Sequence, residues 1–115
     1  MTEVGPLGSG SNRYKLVWFV PEEALEATRS AVFDAGGGRI GEYQRCSWYA
    51  AGTGTFYGAE LTDPAIGERG REEHVQELRV ETVVPSERLD AAVAALRLAH
   101  PYEEPAYDVY PLVDV

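Results

Sequence analysis

The first half of this chain switches from a continuous apolar run to an apolar stripe at helical spacing. Residues 14–20 are nearly all apolar, which predicts a strand in the centre of a sheet. Pro21 ends this strand and favours the start of a helix. The helix is predicted to extend to the glycines at 36–38, and its buried side is expected to comprise Leu25, Ala27, Val32 and Phe33.

The second half repeats this order of elements. Residues 19–27 return 64 positions later as residues 83–91, with five identities in nine. Residues 76–84 alternate with the period of a strand, and Pro85 precedes a second helix. That helix should end before Pro101, because proline disfavours helical geometry in the residue before it. Its apolar stripe is formed by Leu89, Ala92, Val93, Leu96 and Ala99.

Two such halves predict an α+β, ferredoxin-like βαββαβ sandwich with two helices on one face of the sheet. The expected strand order is 4-1-3-2. Residues 106–112 form the fourth strand, and the prolines at 105 and 111 suit an edge position because they cannot donate a ladder hydrogen bond.

The second strand is predicted over residues 42–50, where alternation places Cys46 and Trp48 on one face and Tyr49 on the other. The glycine-rich stretch 51–75 then reads as a long loop. In the predicted topology this loop and the turn 100–105 lie at the same end of the sheet. They are therefore the best pair of segments to build a site.

Length and charge limit the functional classes. The chain has 115 residues and a formal charge of −9, so neither nucleic acid nor an anionic membrane surface is an expected partner. Residues 1–13 are expected to form a flexible tail, followed by a single domain over 14–115. With one cysteine and no signal-peptide pattern, a cytoplasmic location is the default expectation.

Candidate metal ligands are concentrated near the second helix end. His100 and Glu103 could bind Zn²⁺ or Cu²⁺, with Cys46 from a neighbouring subunit as a further ligand. Rigid-turn packing explains the same residues. Cys46 could alternatively be a nucleophile, but a buried, small hydrophobic role is the preferred interpretation.

A small-molecule site is the other hypothesis. The backbone of the Gly52-Thr53-Gly54-Thr55 stretch could cradle an anion, and Tyr102 and Glu104 could line the same site. No lysine of a phosphate-binding loop follows these glycines, so a shaped surface loop explains them at least as well.

Several spaced motifs carry a family resemblance. The run His100-Pro101-Tyr102-Glu103-Glu104-Pro105, together with 38–41, 46–48 and 52–56, resembles the PII/CutA-like domain inserted in bacterial YqfO-type Nif-three-like proteins. The resemblance covers everything after residue 13. The closing motif is also similar to that of CutA, the divalent-cation tolerance protein. The flanking Nif-three segments, which supply a two-metal centre in that family, have no counterpart here, so the insert alone is expected.

The resemblance implies the fold already predicted and a homotrimer. The preferred function is a non-catalytic, regulatory or ligand-binding trimeric module with a small-molecule or protein partner. A copper- or zinc-binding protein of the CutA type is the alternative. A small acid/base enzyme using His100 and Glu103 is the third hypothesis.

Overall fold

A computed structural model describes residues 12–59 and 70–115. Its four strands are β1 (Arg13–Val20), β2 (Trp48–Tyr57), β3 (Glu72–Pro85) and β4 (Tyr107–Pro111). Helix α1 spans Leu25–Asp34 and helix α2 spans Leu89–Ala99. The sheet order is β2-β3-β1-β4, with every neighbouring pair antiparallel, so the predicted 4-1-3-2 order is confirmed.

Both halves begin their helices in the same way. The strands end at Val20-Pro21 and Val84-Pro85, and a short 3-10 turn follows each proline before the α-helix. The two prolines have nearly the same backbone angles, with φ −65° and ψ 151° for Pro21 and φ −66° and ψ 150° for Pro85. The repeat in the sequence is thus a repeat in conformation.

The core lies between the helices and one face of the sheet. Trp18 is fully buried there, and its indole N–H donates to the hydroxyl of Thr28 on α1 at 3.0 Å. This bond satisfies a polar group that would otherwise be costly to bury. Apolar side chains from β1, β3 and both helices complete the core: Leu16, Val20, Leu25, Val32, Val80, Val84, Ala92 and Leu96.

The predicted boundaries of the second strand and its loop were wrong. Residues 42–47 do not belong to a strand of the sheet, and only an isolated bridge between Ile40 and Tyr43 forms nearby. The stretch 52–57 is part of β2 and pairs with β3 from Glu77 to Glu72. Cross-strand pairing outweighed the low strand propensity of glycine here. Residues 60–69 of the predicted loop lie outside the described residues.

Strands β2 and β3 continue beyond the end of β1. The last residue of β1, Val20, pairs with Leu78, so within residues 12–59 and 70–115 no third strand lies beside residues 72–77 of β3 and their partners 52–57. We call these two segments the β2–β3 arm. A two-stranded ribbon is marginal by itself, so the arm relies on what packs against it.

The predicted tail over residues 1–13 falls largely outside the described residues. Residues 1–11 are not described, whereas Arg13 is the first residue of β1. The backbone carbonyl of Asn12 accepts a hydrogen bond from the N–H of Ser86 at 2.8 Å. The first strand therefore begins at the last residue of the predicted tail.

Candidate functional site

The sheet brings the arm and the turn 100–105 to the same end, as the topology predicted. Strands β3 and β4 are both antiparallel to β1 and hence parallel to each other. The N–H of Phe19 donates to the carbonyl of Ala106 at 3.1 Å, which places the turn beside the end of β1. The arm begins at Glu77, two residues beyond Arg79, because Phe19 is paired with Arg79 and Val20 with Leu78.

His100 fastens this turn to β1. It has left helical geometry, with φ −78° and ψ 138°, as expected from the proline after it. Its Nε2 lies 2.7 Å from the carbonyl oxygen of Phe19, and its Nδ1 accepts from the N–H of Tyr102 at 3.1 Å. Because a carbonyl can only accept, Nε2 carries the proton and the ring is neutral. Both ring nitrogens are therefore occupied by backbone groups.

Burial reinforces the neutral state of His100. The residue is only 6% exposed, and desolvation lowers the pKa of its imidazole, although the hydrogen bond to Phe19 acts in the opposite direction. A metal ion could bind this ring only by displacing one of the two backbone partners. A general base would need the same lone pair of Nδ1.

The hydroxyl group of Tyr102 lies at this end of the sheet, where no described residue accepts a hydrogen bond from it. Its ring packs edge-on against His100, with ring centroids 4.8 Å apart. Its hydroxyl is buried and has no hydrogen-bond partner within the described part of the chain. Burial raises the pKa of the phenol, and the negative charges of Glu77 and Glu23 raise it further. The hydroxyl is therefore a donor in need of an acceptor.

Glu77 supplies a complementary group from the arm. It pairs with Gly52, and its carboxylate packs against Gly54, where any β-carbon would collide with a carboxylate oxygen. The side chain is partly buried, and this desolvation raises the pKa of its carboxyl group. No hydrogen bond or ion pair of this carboxylate is present in the described part of the chain. The two glycines thus make room for a carboxylate that has no partner of its own.

The other residues predicted for the site are distributed unevenly. The Gly52-Thr53-Gly54-Thr55 stretch belongs to the arm, and Glu103 and Glu104 are exposed on the turn beyond Tyr102. Cys46 lies at the other end of the sheet and is partly buried. Its N–H donates to Gly38 at 2.7 Å, and its carbonyl accepts from Thr82 at 2.6 Å. Cys46 and His100 of one copy therefore do not meet.

No group of three or more His, Cys, Asp or Glu side chains is arranged for metal binding within residues 12–59 and 70–115. The proposed set of His100, Glu103 and Cys46 would consequently need side chains from more than one copy. Only the part of it on the turn, His100 and Glu103, is contiguous in one copy.

Sequence reasoning missed Glu77 and Glu23. Glu77 alternates with the apolar residues of its strand, and Glu23 lies where a helix start favours negative charge, so the local sequence explains both without a site. One signal could have revealed Glu77: two glycines spaced by one residue in an edge strand leave room for a large side chain on the neighbouring strand.

The chain is similar in sequence to parts of longer bacterial proteins. No family model matches the chain. A protein of Mycobacterium tuberculosis named GTP cyclohydrolase 1 type 2 homolog is 49% identical over 108 residues, which are 94% of this chain and 28% of that protein. A protein of the same name from Bacillus subtilis is 45% identical over 98 residues, covering 85% of this chain and 26% of the relative. The chain thus spans little more than a quarter of these relatives.

Solved structures give the same result for the fold. The crystal structure of a Bacillus cereus protein related to NIF3 matches with a TM-score of 0.76 and 41% identity, over 97% of this chain and 29% of that one. CutA1 from Shewanella sp. SIB1 matches with a TM-score of 0.67 over 91% of this chain and 85% of its own length, at 12% identity.

Two further findings complete the description. Among the described residues, neither helix is long and apolar enough to cross a membrane. At 12% identity the likeness to CutA1 concerns the fold alone, whereas the likeness to the NIF3-related proteins extends to the sequence. The chain is therefore similar in sequence to about a quarter of the NIF3-related proteins and has the same α+β fold as CutA1.

Proposed function

We propose that this chain is a non-catalytic, homotrimeric module that binds a small ligand where the β2–β3 arm meets the turn 100–105. The observation that carries the proposal is the pair of unmatched polar groups at this end. The buried hydroxyl of Tyr102 lacks an acceptor, and the partly buried carboxylate of Glu77 lacks a donor. Buried polar groups in proteins are normally paired, so the unmatched hydroxyl of Tyr102 favours a missing ligand, and the partly buried carboxylate of Glu77 is a second group that such a ligand could bond.

The chemistry of the two groups limits the ligand. A phenol donates one hydrogen bond, and a carboxylate accepts from one or two N–H groups. A ligand that offers an acceptor beside N–H donors fits both, as a primary amide or the edge of a nucleobase does. The name of the relatives makes GTP the first probe to use, because its guanine base has this arrangement of donors and acceptor.

A non-catalytic role is supported by the state of His100. An acid/base function would need a ring nitrogen free to exchange a proton with substrate, yet both nitrogens are held by the backbone of Phe19 and Tyr102. Cys46 has no histidine beside it and lies at the other end of the sheet. These residues therefore support the fold better than they support a reaction.

The trimer is proposed from the resemblance to PII and CutA and from the fold. The arm supports it as well, because a ribbon without a third strand gains stability from a neighbouring copy. Exposed aromatic side chains, which are enriched in protein interfaces, lie at the two ends of the edge strand β2, at Trp48 and Tyr57.

Native mass spectrometry tests the proposal in one series. We expect a trimer, and we expect added GTP to appear as bound mass that is lost in Glu77→Gln and Tyr102→Phe. Tyr43→Phe is the matched control, because its exposed ring lies at the other end of the molecule. Monomers at micromolar concentration, or GTP binding that is unchanged in both site variants, would contradict the proposal.

Spectra recorded after equilibration with Zn²⁺ and Cu²⁺ address the metal alternative. One or three metal ions per trimer, lost in His100→Ala and in Cys46→Ala, would favour a metal site built by adjacent copies. Retention of the same metal in both variants would place any ion elsewhere.

A further inference from the structure

The proposed site lies among carboxylates that no cation of the described chain neutralises. Glu77 and Glu23 lie close enough to Tyr102 for their charges to raise the pKa of its phenol. Glu22 and Glu104 are exposed at the same end of the sheet. None of these four carboxylates takes part in an ion pair within residues 12–59 and 70–115. We call Glu22, Glu23, Glu77 and Glu104 the acidic group.

An arginine next to Glu77 on the sheet is paired elsewhere. Arg79 has a glutamate on each side of it along β3, since Glu77 and Glu81 share its face of the sheet. Its Nε donates to Glu81 at 3.0 Å, on the side away from the arm, and its guanidinium lies 5.7 Å from the ring centroid of Phe19. Glu77 is therefore left without a cation from its own strand.

The other arginines at this end of the described chain are also engaged. Arg71, just before β3, is paired with Glu73 at 2.6 Å. Arg97, in the last turn of α2, forms no ion pair within the described ranges, and its guanidinium donates to the hydroxyl of Tyr107 at 3.1 Å. Among the described residues, one unpaired arginine thus accompanies four unpaired carboxylates, so this end carries an excess of negative charge.

The start of α1 does not compensate for these charges. A helix N-terminus ordinarily attracts phosphate, because its N–H groups and dipole favour negative charge. Here Glu22 and Glu23 occupy the 3-10 turn before α1, and Glu26 follows in the first turn of the helix. Of these three, Glu26 alone has an ion pair in the described ranges, with Arg29 at 2.7 Å. The chain itself therefore supplies the negative charge that a phosphate would bring.

A buried group distinguishes this end from a merely charged surface. The hydroxyl oxygen of Tyr102 is buried and has no acceptor within the described residues. The carboxylate of Glu77 packs against Gly54 and needs N–H donors. Tyr102 and Glu77 thus set the hydrogen bonds that a ligand must make, whereas the acidic group sets the charge that it can carry.

We infer that the site takes an uncharged or positively charged ligand with N–H donors, such as a nucleobase or nucleoside, and discriminates against its phosphorylated forms. The inference rests on the proposed function and narrows the class of ligand. The base of a nucleoside can bond Glu77 and Tyr102 whether or not phosphates are attached. Each phosphate would add negative charge beside the carboxylates of the acidic group, and like charges repel.

Isothermal titration calorimetry of the full chain with guanosine, GMP and GTP tests this selection. The three ligands share one base and differ in charge, and EDTA keeps divalent cations from masking the phosphates. We expect guanosine to bind tightest and GTP about tenfold more weakly, with GMP between them. Raising NaCl from about 50 mM to about 500 mM should reduce the difference to about twofold, because salt screens exposed charges.

Matched double variants separate the local charge from the net charge. Glu22→Gln/Glu104→Gln removes two carboxylates of the acidic group and should raise the affinity for GTP about threefold, with little change for guanosine. Glu42→Gln/Glu87→Gln is the control, because it removes two exposed carboxylates at the other end of the sheet. In this control the ratio of the two affinities should stay at its wild-type value.

The results separate the charge selection from the proposed function. Tighter binding of guanosine, with a ratio reduced only in Glu22→Gln/Glu104→Gln, supports the inference. GTP affinity equal to or above that of guanosine, with both ligands lost in Tyr102→Phe, overturns the charge selection and leaves the proposed function standing. A ratio that changes equally in both double variants, or in neither, also overturns it, since the acidic group would then not be the cause. No binding of any of the three ligands contradicts the proposed function itself.

Discussion

The two halves of the chain begin their helices alike and end them differently. After α1 the chain turns on glycines, and the N–H groups of Gly36, Gly37 and Gly38 all donate to backbone carbonyls. After α2 the chain turns on a side chain, since His100 bonds the carbonyl of Phe19 and the N–H of Tyr102. In the turn after α1, backbone carbonyls therefore satisfy all three of these N–H groups.

The turn after α2 leaves one buried polar group unsatisfied among the described residues. It leaves the hydroxyl of Tyr102 buried without a partner, beside the charges of Glu77 and Glu23. The repeated strand and helix elements build the fold in both halves. The turn after α2 carries, in addition, polar groups that the fold does not need. This difference is the reason why the ligand site is proposed at this end of the sheet.

The glycine turn after α1 should lose more stability than the turn after α2 when a single carbon atom is added. Gly38 has a φ of +83°, and a β-carbon there would lie 2.6 Å from the ring of Phe33. We expect Gly38→Ala to lower the free energy of unfolding by about 3 kcal/mol, from backbone strain and overpacking together. Urea denaturation measures the loss.

Gly41→Ala is the matched control. Gly41 also has a positive φ, of +57°, but a β-carbon there meets nothing within 4 Å. Only the backbone term remains, so a loss of about 1 kcal/mol is expected. Equal losses at the two positions would show that the contact with Phe33 does not matter.

The turn after α2 should lose stability when the imidazole ring of His100 is removed. His100→Ala leaves the carbonyl of Phe19 and the N–H of Tyr102 without partners, which should cost about 2 kcal/mol in the free energy of unfolding. His74→Ala is the natural control, because the only other histidine is exposed and contacts Glu72 at 2.9 Å. We expect its loss to stay below about 0.5 kcal/mol. Similar losses for the two histidines would contradict the tethering role of His100.

As the pH falls, the turn held by His100 should lose stability before the glycine turn at residues 36–38. Burial lowers the pKa of His100 in the folded state, so the unfolded chain takes up a proton first as the pH falls below the ordinary value of 6.5. The contribution of His100 is therefore fully present above that pH and decreases between 6.5 and the lower folded pKa. Denaturation midpoints of wild type and His100→Gln across this window should converge as the pH falls.

Glu77 should change stability with pH in the opposite direction to His100. Its raised pKa means that the folded state binds a proton more readily than the unfolded state, so protonation relieves an unfavourable burial. Glu77→Gln should accordingly flatten the acid side of the stability profile, where the wild type gains relative stability. A profile that is unchanged by both substitutions would show that neither group titrates differently on folding.

The smallest expected effect is a gain. Tyr102→Phe removes a buried hydroxyl that has no partner, so we expect the free energy of unfolding to rise by about 1 kcal/mol while ligand binding weakens. Tyr43→Phe, at an exposed position, should change stability little. A loss of stability in Tyr102→Phe would mean that the hydroxyl is satisfied in solution.

The fold could be predicted because the signals that specify it are local. Val-Pro before each helix, the apolar stripe of α2 and the prolines at the ends of β4 all act within a few residues, and they were located correctly. In α1, Leu25, Val32 and Phe33 are buried as predicted, but Ala27 is exposed. The error at β2 has a different origin. Thr53 and Thr55 favour strands, but the glycines between them do not, and only pairing with β3 decides the outcome.

The candidate site could be predicted only in part for the same reason. The topology places the turn 100–105 at the correct end, and the proline after His100 explains why that residue leaves the helix. Nothing in the local sequence indicates that Glu77 packs against Gly54 or that both nitrogens of His100 are occupied. Those contacts join residues that are distant in the chain.

The sequence by itself determined the repeated strand–helix unit, the order of the strands and the edge position of β4, because periodicity and proline act on the backbone nearby. The tertiary structure alone decided the length of the β2–β3 arm, the neutral state of His100 and the unmatched groups of Tyr102 and Glu77. Burial and hydrogen bonding depend on which distant segments pack together, so these features arise only in the folded chain.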